Sequence, residues 1–262
     1  MLIKDKNLLG ESPIWNHLNN KFYWVDIDGK KIKSFDDCNI SSYSLDKMPT
    51  CLALIDSNQI FTVVEDGLGI YDFRNNSYNY LHKIDDKMVR FNDGKCDKNG
   101  ILHIGTMCRT RPRMPIGNIY KYENRNLIKL ISNIGTSNGI SFDKNNNMYY
   151  SDTSKKIIYR KVNKETEIIH KYEDVGPDGS TIDYNNNYYS CLWGGSRIDI
   201  FNEGKYFDQI NLDCKKPTCC CFGGQDMNKL FITSAYENNN DDGSPLILNT
   251  NTFGVNERVI NF

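Results

Sequence analysis

Ile140–Asp152 reads ISFDKNNNMYYSD: a short apolar run, a polar stretch of Asp, Lys and three Asn, then a second run rich in tyrosine. Asp and Asn accept the left-handed backbone of tight turns, and tyrosine suits a half-buried pleated surface, so the stretch predicts a β-hairpin. The same pattern recurs at Ile14–Asp26 (IWNHLNNKFYWVD), Cys51–Glu65 (CLALIDSNQIFTVVE), Lys95–Thr106 (KCDKNGILHIGT), Thr181–Cys191 (TIDYNNNYYSC) and Cys221–Ser234 (CFGGQDMNKLFITS). The turns open near His17, Asp56, Asp97, Asp143, Asp183 and Gly223, at intervals of 39, 41, 46, 40 and 40 residues. Strand repeats of this period predict a β-propeller with one repeat per blade.

Working outward from each hairpin, a third strand is expected at Lys31–Phe35, Gly69–Phe73, Gly117–Tyr122, Lys156–Lys161, Arg197–Phe201 and Pro245–Asn249. A weaker fourth follows in several copies, at Tyr78–His82, Leu127–Ser132, Glu167–Tyr172 and Tyr206–Asn211. Helical patterning is thin. The expected architecture is an all-β, six-bladed propeller of four antiparallel strands per blade, occupying residues 1–262 as a single domain. The C-terminal Arg258–Phe262 (RVINF) is expected to complete a blade begun at the N-terminus and so close the ring.

A net charge of −1, with acidic and basic residues interspersed, excludes the basic footprint of a nucleic-acid or membrane-surface binder. Asparagine is over-used, with clusters at Asn145–Asn147, Asn185–Asn187 and Asn238–Asn240. These residues are assigned to turns and to no chemistry. Nine cysteines form no regular framework, and no run is long and apolar enough for a leader or membrane span. A reducing, cytoplasmic setting is expected. In the Cys219–Cys221 triplet, neighbours on a strand face opposite sides, so core packing is expected rather than metal or redox chemistry. The four histidines form no HExxH-type pattern, and His103 on an inner strand is read as a core residue. No nucleophile elbow, P-loop or dinucleotide fingerprint occurs.

Chemistry is expected where the repeats diverge. Gly10-Glu11-Ser12-Pro13, Arg90-Phe91-Asn92-Asp93-Gly94, Ser137-Asn138-Gly139 and Pro177-Asp178-Gly179 each come just before the expected innermost strand of a blade. In a propeller those positions share one end of the central channel. One Glu, one Asn and one Asp make an oxygen-only set suited to a hard or borderline divalent cation. The alternative is that Asn-Gly and Asp-Gly are ordinary turn formers.

These words resemble those of the regucalcin, gluconolactonase and luciferin-regenerating enzyme family, six-bladed propellers that are metal-dependent lactonases. The resemblance runs nearly end to end, through GESPIWN…FYWVDI at 10–27, RFNDGKCDKNGILHIGTM at 90–107, SNGISFDKNNNMYYSD at 137–152, PDGSTIDYNNNYYSCLWGG at 177–195 and TCCCFGG at 218–224. It implies Glu11, Asn138 and Asp178 as ligands of one divalent metal ion, Ca2+ first, with Zn2+, Mn2+, Mg2+ and Fe2+ also compatible. It implies Asn92 near metal and substrate and Arg90 as substrate-binding; Asp178 is the candidate catalytic base, with Asn92 beside it. Some animal members carry a substrate-contacting glutamate four residues before the third-strand glycine. Here that position is Arg113, inside the basic loop Met107–Ile116 (MCRTRPRMPI), so it is a third candidate substrate contact. The implied reaction is hydrolysis of a gluconolactone-like aldonolactone by a monomer or weak homo-oligomer with no nucleic-acid or membrane partner. A regucalcin-like calcium-binding protein and a phosphotriester hydrolase are the alternatives.

Overall fold

The hairpin turns close on their own aspartates. Asp143 Oδ1 accepts the N–H groups of Asn145 and Asn147, both at 2.9 Å, while Asn146 takes a left-handed φ of 64°. Asp183 repeats this with Asn187, and Asn186 again sits at φ 64°. The Asn238–Asn240 cluster lies outside the described residues; the computed structural model describes residues 1–237 and 243–262.

Around these turns the described residues form 23 strands in six blades. The first blade is β1 (Gly10–Asn16), β2 (Lys21–Asp26), β3 (Lys31–Phe35) and β4 (Ile40–Ser44). The second is β5 (Pro49–Leu54), β6 (Gln59–Val64), β7 (Gly67–Asp72) and β8 (Ser77–Lys83). The third is β9 (Val89–Cys96), β10 (Leu102–Cys108), β11 (Gly117–Glu123) and β12 (Asn126–Ile134). The fourth is β13 (Ser137–Phe142), β14 (Met148–Asp152), β15 (Ile157–Val162) and β16 (Glu165–Lys171). The fifth is β17 (Gly176–Ile182), β18 (Asn187–Trp193), β19 (Arg197–Asn202) and β20 (Lys205–Asn211), and the sixth is β21 (Pro217–Gly223), β22 (Lys229–Ser234) and β23 (Leu246–Asn249). Every pairing within a blade is antiparallel between chain neighbours. The innermost strands β1, β5, β9, β13, β17 and β21 touch in turn and close a ring.

Burial falls outward along each blade. Strand β1 is buried throughout, whereas the outermost β20 is almost wholly exposed. Six apolar clusters fill the six clefts between blades. Phe61, Phe91 and Tyr122 join the second and third, and Trp15, Trp24, Cys221 and Phe231 join the sixth and first. A large side chain buried this fully contributes on the order of 2–3 kcal/mol. Cys219, Cys220 and Cys221 are all buried; Cys220 and Cys221 pack in the clefts as expected, whereas Cys219 faces the neighbouring inner strand at Gly179.

Closure departs from the expectation drawn from the C-terminal RVINF. The N-terminus supplies the sixth blade's outer edge: Leu2 bridges Leu246, Ile247 N–H donates to Met1 O at 2.8 Å, and Ile3 N–H donates to Pro245 O at 2.9 Å. Ile3 is buried in the cleft cluster of Trp15 and Phe231, which rewards this docking. The C-terminus instead crosses beneath the second and third blades, where Val259 bridges Leu54 and Ile260 joins the cluster of Phe61 and Phe91. Among the described residues, no helix is long and apolar enough to cross a membrane.

Candidate functional site

Every innermost strand breaks register with its neighbour near the same end. The breaks fall between Glu11 and Ile14 in β1, Pro49 and Cys51 in β5, and Phe91 and Gly94 in β9. They recur between Asn138 and Ser141 in β13, Pro177 and Ser180 in β17, and Pro217 and Cys219 in β21. A β-bulge leaves residues unpaired and re-aims their side chains. The unpaired residues include Ser12, Asn92, Asp93, Gly139 and Asp178. The polar words therefore lie inside the inner strands, at bulges, and not in segments before them. The glycines are likewise sites of close approach rather than loop turns. Gly139 sits at φ 61°, and a Cβ there would meet Tyr188 Oη at 2.6 Å; a Cβ on Gly179 would strike Cys219 Sγ at 2.4 Å.

The bulges join the blades through polar contacts. Asn92 Nδ2 donates to Asn138 Oδ1 at 2.8 Å and to Ser137 O at 2.9 Å. Arg90 Nη1 donates to Asn92 Oδ1 and to Phe91 O, both at 2.8 Å. Asn138 Nδ2 donates to Thr153 Oγ1 at 2.8 Å, and Thr153 in turn donates to Pro177 O at 2.7 Å. Asp93 Oδ2 accepts the Ile140 N–H at 3.0 Å, and Glu11 Oε2 accepts the Ser12 N–H at 3.0 Å.

Glu11, Asp93 and Asp178 are 8, 7 and 4 % exposed, and none forms an ion pair among the described residues. Burial, then the charge of Asp93, pushes Glu11 up to about 8, although the Ser12 N–H and Arg90 oppose this. Burial raises Asp93 to about 6. Asp178 stands well above the usual carboxylate range through burial and then repulsion from Glu11 and Asp93, with a hydrogen bond from Asn138 pulling the other way. Three acids that repel one another in a buried place form an arrangement completed by positive charge.

Among the described residues, no group of three or more His, Cys, Asp and Glu side chains is arranged as a metal cage. The oxygen set expected from the sequence, Glu11, Asn138 and Asp178, draws on an amide, and Asp178 feels Glu11, Asp93 and Asn138 together. Hard oxygen donors with uncompensated negative charge fit a divalent cation. Asp93 was not singled out by sequence reasoning, because the resemblance assigned a role to Asp178 and none to Asp93, and Asp before Gly is otherwise an ordinary turn signal. Its position beside Asn92 was the available clue. Arg113 stands apart from the polar network, half-buried in the loop after β10, where its Nη1 donates to Cys108 O and Thr110 O. Its charge still reaches Arg90.

A cavity of about 460 Å3 opens at the opposite end of the channel, lined among others by Lys95, Asp97, Asp143, Asp183 and Glu257. It contains none of the site residues above. Its aspartates are committed to the hairpin turns, and Lys95 is paired with Glu257.

Residues 9–236 match the family described as the SMP-30/gluconolactonase/LRE-like region. A Bacillus subtilis protein named "Putative sugar lactone lactonase YvrE" is 33% identical over 248 residues, covering 88% of this chain and 84% of that one. Regucalcin of Danio rerio is 26% identical over 252 residues, covering 90% of this chain and 85% of its own length. A solved structure of a calcium-binding protein, regucalcin, from Agrobacterium tumefaciens superposes with a TM-score of 0.94 at 24% identity, over 100% of this chain and 97% of the other. The shared fold and the long family match agree: the chain belongs to the SMP-30/gluconolactonase/LRE-like family.

Proposed function

We propose that this protein is a metal-dependent sugar lactonase that hydrolyses a gluconolactone-like aldonolactone to the aldonic acid. The observation that carries the reading is the buried set Glu11, Asp93 and Asp178, repelling one another and forming no ion pair among the described residues, beside Asn138, Asn92 and Arg90. The family name and the printed name of the Bacillus relative agree with lactone chemistry. The printed description of the Agrobacterium regucalcin as calcium-binding agrees with a hard cation such as Ca2+.

Hydrolysis adds a water oxygen to the lactone carbonyl carbon and breaks that carbon's bond to the ring oxygen, which leaves as a hydroxyl. When bound at Glu11, Asn138 and Asp178, a divalent cation supplies Lewis acidity toward the carbonyl oxygen and acidifies water. Asp178 takes the proton from the attacking water and returns it to the departing ring oxygen. Asn92 acts chiefly by positioning: its amide is committed to Ser137 and Asn138 and its oxygen to Arg90, so it holds one ligand and one substrate contact in register. Arg90 offers the rest of its guanidinium fork to sugar oxygens. Seven of the nine cysteines are buried among the blades, which suits a reducing, cytoplasmic setting.

The test is acid release from a panel of aldono-1,4- and 1,5-lactones after chelation and after restoring Ca2+, Mn2+, Mg2+, Zn2+ or Fe2+ singly. Turnover that depends on the added ion supports the reading. Calorimetric Ca2+ binding with no turnover of any lactone overturns it in favour of a calcium-binding protein, and preference for a phosphotriester overturns it in favour of that hydrolase.

A further inference from the structure

The loop between β10 and β11 places cations unevenly. Cys108 pairs with Val89, and Met107 pairs with Arg90, so the last residues of β10 lie directly beside the start of β9. The loop then folds back, and Arg113 donates to Cys108 O and Thr110 O, which brings its guanidinium to the strand end that flanks Arg90. Arg109, on the same loop, donates from Nε to Val89 O at 3.0 Å and forms an ion pair with Glu65 at 2.7 Å. Arg90 and Arg113 have no such partner: among the described residues their hydrogen bonds go to carbonyl and amide oxygens only, and neither forms an ion pair. Two guanidinium groups within electrostatic reach of each other, beside a third that is neutralised, leave a positive edge at the mouth of the acidic site.

We propose that this edge selects lactones bearing an anionic group, carboxylate or phosphate, at the end of the sugar remote from the lactone carbonyl, with Arg113 and Arg90 gripping that group. The proposal rests on the lactonase reading and adds the substrate class to it. A neutral sugar presents hydroxyls, which neutral donors satisfy without cost. Two unpaired guanidiniums near one another are a standing repulsion, and a carboxylate or phosphate that takes hydrogen bonds from both relieves it. The repulsion is visible at Arg90, which burial and then the Arg113 charge push down to about 10; Asp28 and Glu11 oppose this without forming an ion pair with it. Arg90 links the two groups, since it donates to Asn92 beside Asn138 and pairs through β10 with the loop that carries Arg113.

Three probes separate the cases: D-glucono-1,5-lactone, its 6-phosphate, and a glucarolactone carrying a free carboxylate. The expected result is a kcat/KM on at least one anionic probe about 10-fold or more above that on the neutral lactone, as charge-assisted bidentate contacts give. Arg113→Glu should lower that ratio by about 10-fold or more, Arg113→Lys should keep part of it, and added salt should shrink it because Arg113 is only half-buried. The phosphate and carboxylate arms decide which anion is preferred. Calorimetry without turnover gives a second readout: 6-phosphogluconate should bind more tightly than gluconate, and Arg113→Glu should abolish the difference. A ratio at or below one, or a ratio untouched by Arg113→Glu in a protein of unchanged melting temperature, overturns the anion proposal alone. No turnover of any probe, the neutral lactone included, overturns the lactonase reading and this proposal with it.

Discussion

The two ends of the channel carry matched polar residues that the fold treats in opposite ways. Three inner strands hold one such residue at the site end and an aspartate at or just past the other: Asp93 and Asp97 on β9, Asn138 and Asp143 on β13, Asp178 and Asp183 on β17. At the far end each aspartate is surrounded by donors. Asp183 accepts from Asn187 N and Nδ2, both at 2.8 Å, from Thr252 Oγ1 at 3.0 Å and from Tyr189 Oη at 3.3 Å. Asp143 accepts from Asn145, Asn147 and Arg160. At the site end Glu11 has a single backbone donor, its neighbour's N–H. Burial is similar at the two ends, so the kind of donor divides them: the far-end aspartates take side-chain amide, guanidinium and hydroxyl donors, whereas among the described residues Glu11 and Asp93 take backbone N–H groups alone. A carboxylate ringed by side-chain donors builds a turn, and a buried one without them is available for a ligand.

The strongest way to break this comparison is to exchange the fates of the two ends by mutation. Asp178→Asn or Glu11→Gln should cut lactone kcat/KM by about 100-fold or more, because each removes a cation ligand. Neither should lower the melting temperature of the metal-free protein, since each replaces a buried acid that its surroundings already disfavour as an anion with a neutral amide of the same shape. Asp183→Ala should do the reverse, destabilising by about 2–3 kcal/mol by stranding buried donors, with kcat/KM of the folded fraction retained. Thermal melts and lactone assays on the same preparations decide, and equal loss of stability at both ends would erase the distinction.

Cation binding sharpens the contrast next. A ligand that binds only the folded state stabilises it by about 2.7 kcal/mol at 100 times its dissociation constant. Ca2+ should therefore raise the melting temperature of the wild-type protein and of Asp183→Ala, and leave Asp178→Asn unmoved. A shift of the same size in Asp178→Asn would place the cation elsewhere.

Acid should act on the far end. Burial alone would raise Asp97, but hydrogen bonds from His103, Asn146 and the N–H groups of Asn99 and Ile101 overcome it and bring the carboxyl down to about 2. The folded-state value lies below the unfolded one, so this stabilisation is present above about pH 4 and is lost as pH falls through about 2. Urea midpoints from pH 5 to pH 2 should decline less steeply in Asp97→Asn than in the wild type. Parallel declines would remove Asp97 from the acid limb.

Far-end chemistry was legible in sequence because it is local. Asp143 and its Asn partners lie within four residues of each other, and the same word written six times placed six hairpins. Site-end geometry depends on contacts across blades. The bulge at Asn92 and Asp93 appears only as a register break against β10, and Asn92 meets Asn138 across 46 residues. Read locally, Asp93-Gly94 and Asp178-Gly179 are the same turn signal, and only the resemblance lifted Asp178 out of it, so the third carboxylate of the site escaped notice. Ring closure was misread for a related reason. Met1–Ile3 is too short to show a period, while RVINF looks like a strand yet forms one isolated bridge, Val259 to Leu54, beneath the second blade.

The smallest expected effect tests whether the far end is a frame and nothing more. Asn186 holds a left-handed φ of 64° and its Oδ1 accepts the Lys144 N–H at 2.9 Å, tying the fifth-blade turn to the fourth; Asn146 makes the same tie to Lys98 at 3.1 Å. Glycine accepts that φ freely, so Asn186→Gly deletes the tie while sparing the turn, and should cost about 0.5–1 kcal/mol, the net value of one exposed hydrogen bond. Asn186→Ala adds the penalty of a Cβ in the left-handed region, about 1–2 kcal/mol more. Both variants should keep wild-type kcat/KM on the neutral and anionic lactones. A loss of activity in Asn186→Gly larger than its loss of stability would mean that the turns couple to the bulges along β13 and β17, and the two ends would have to be treated as one site.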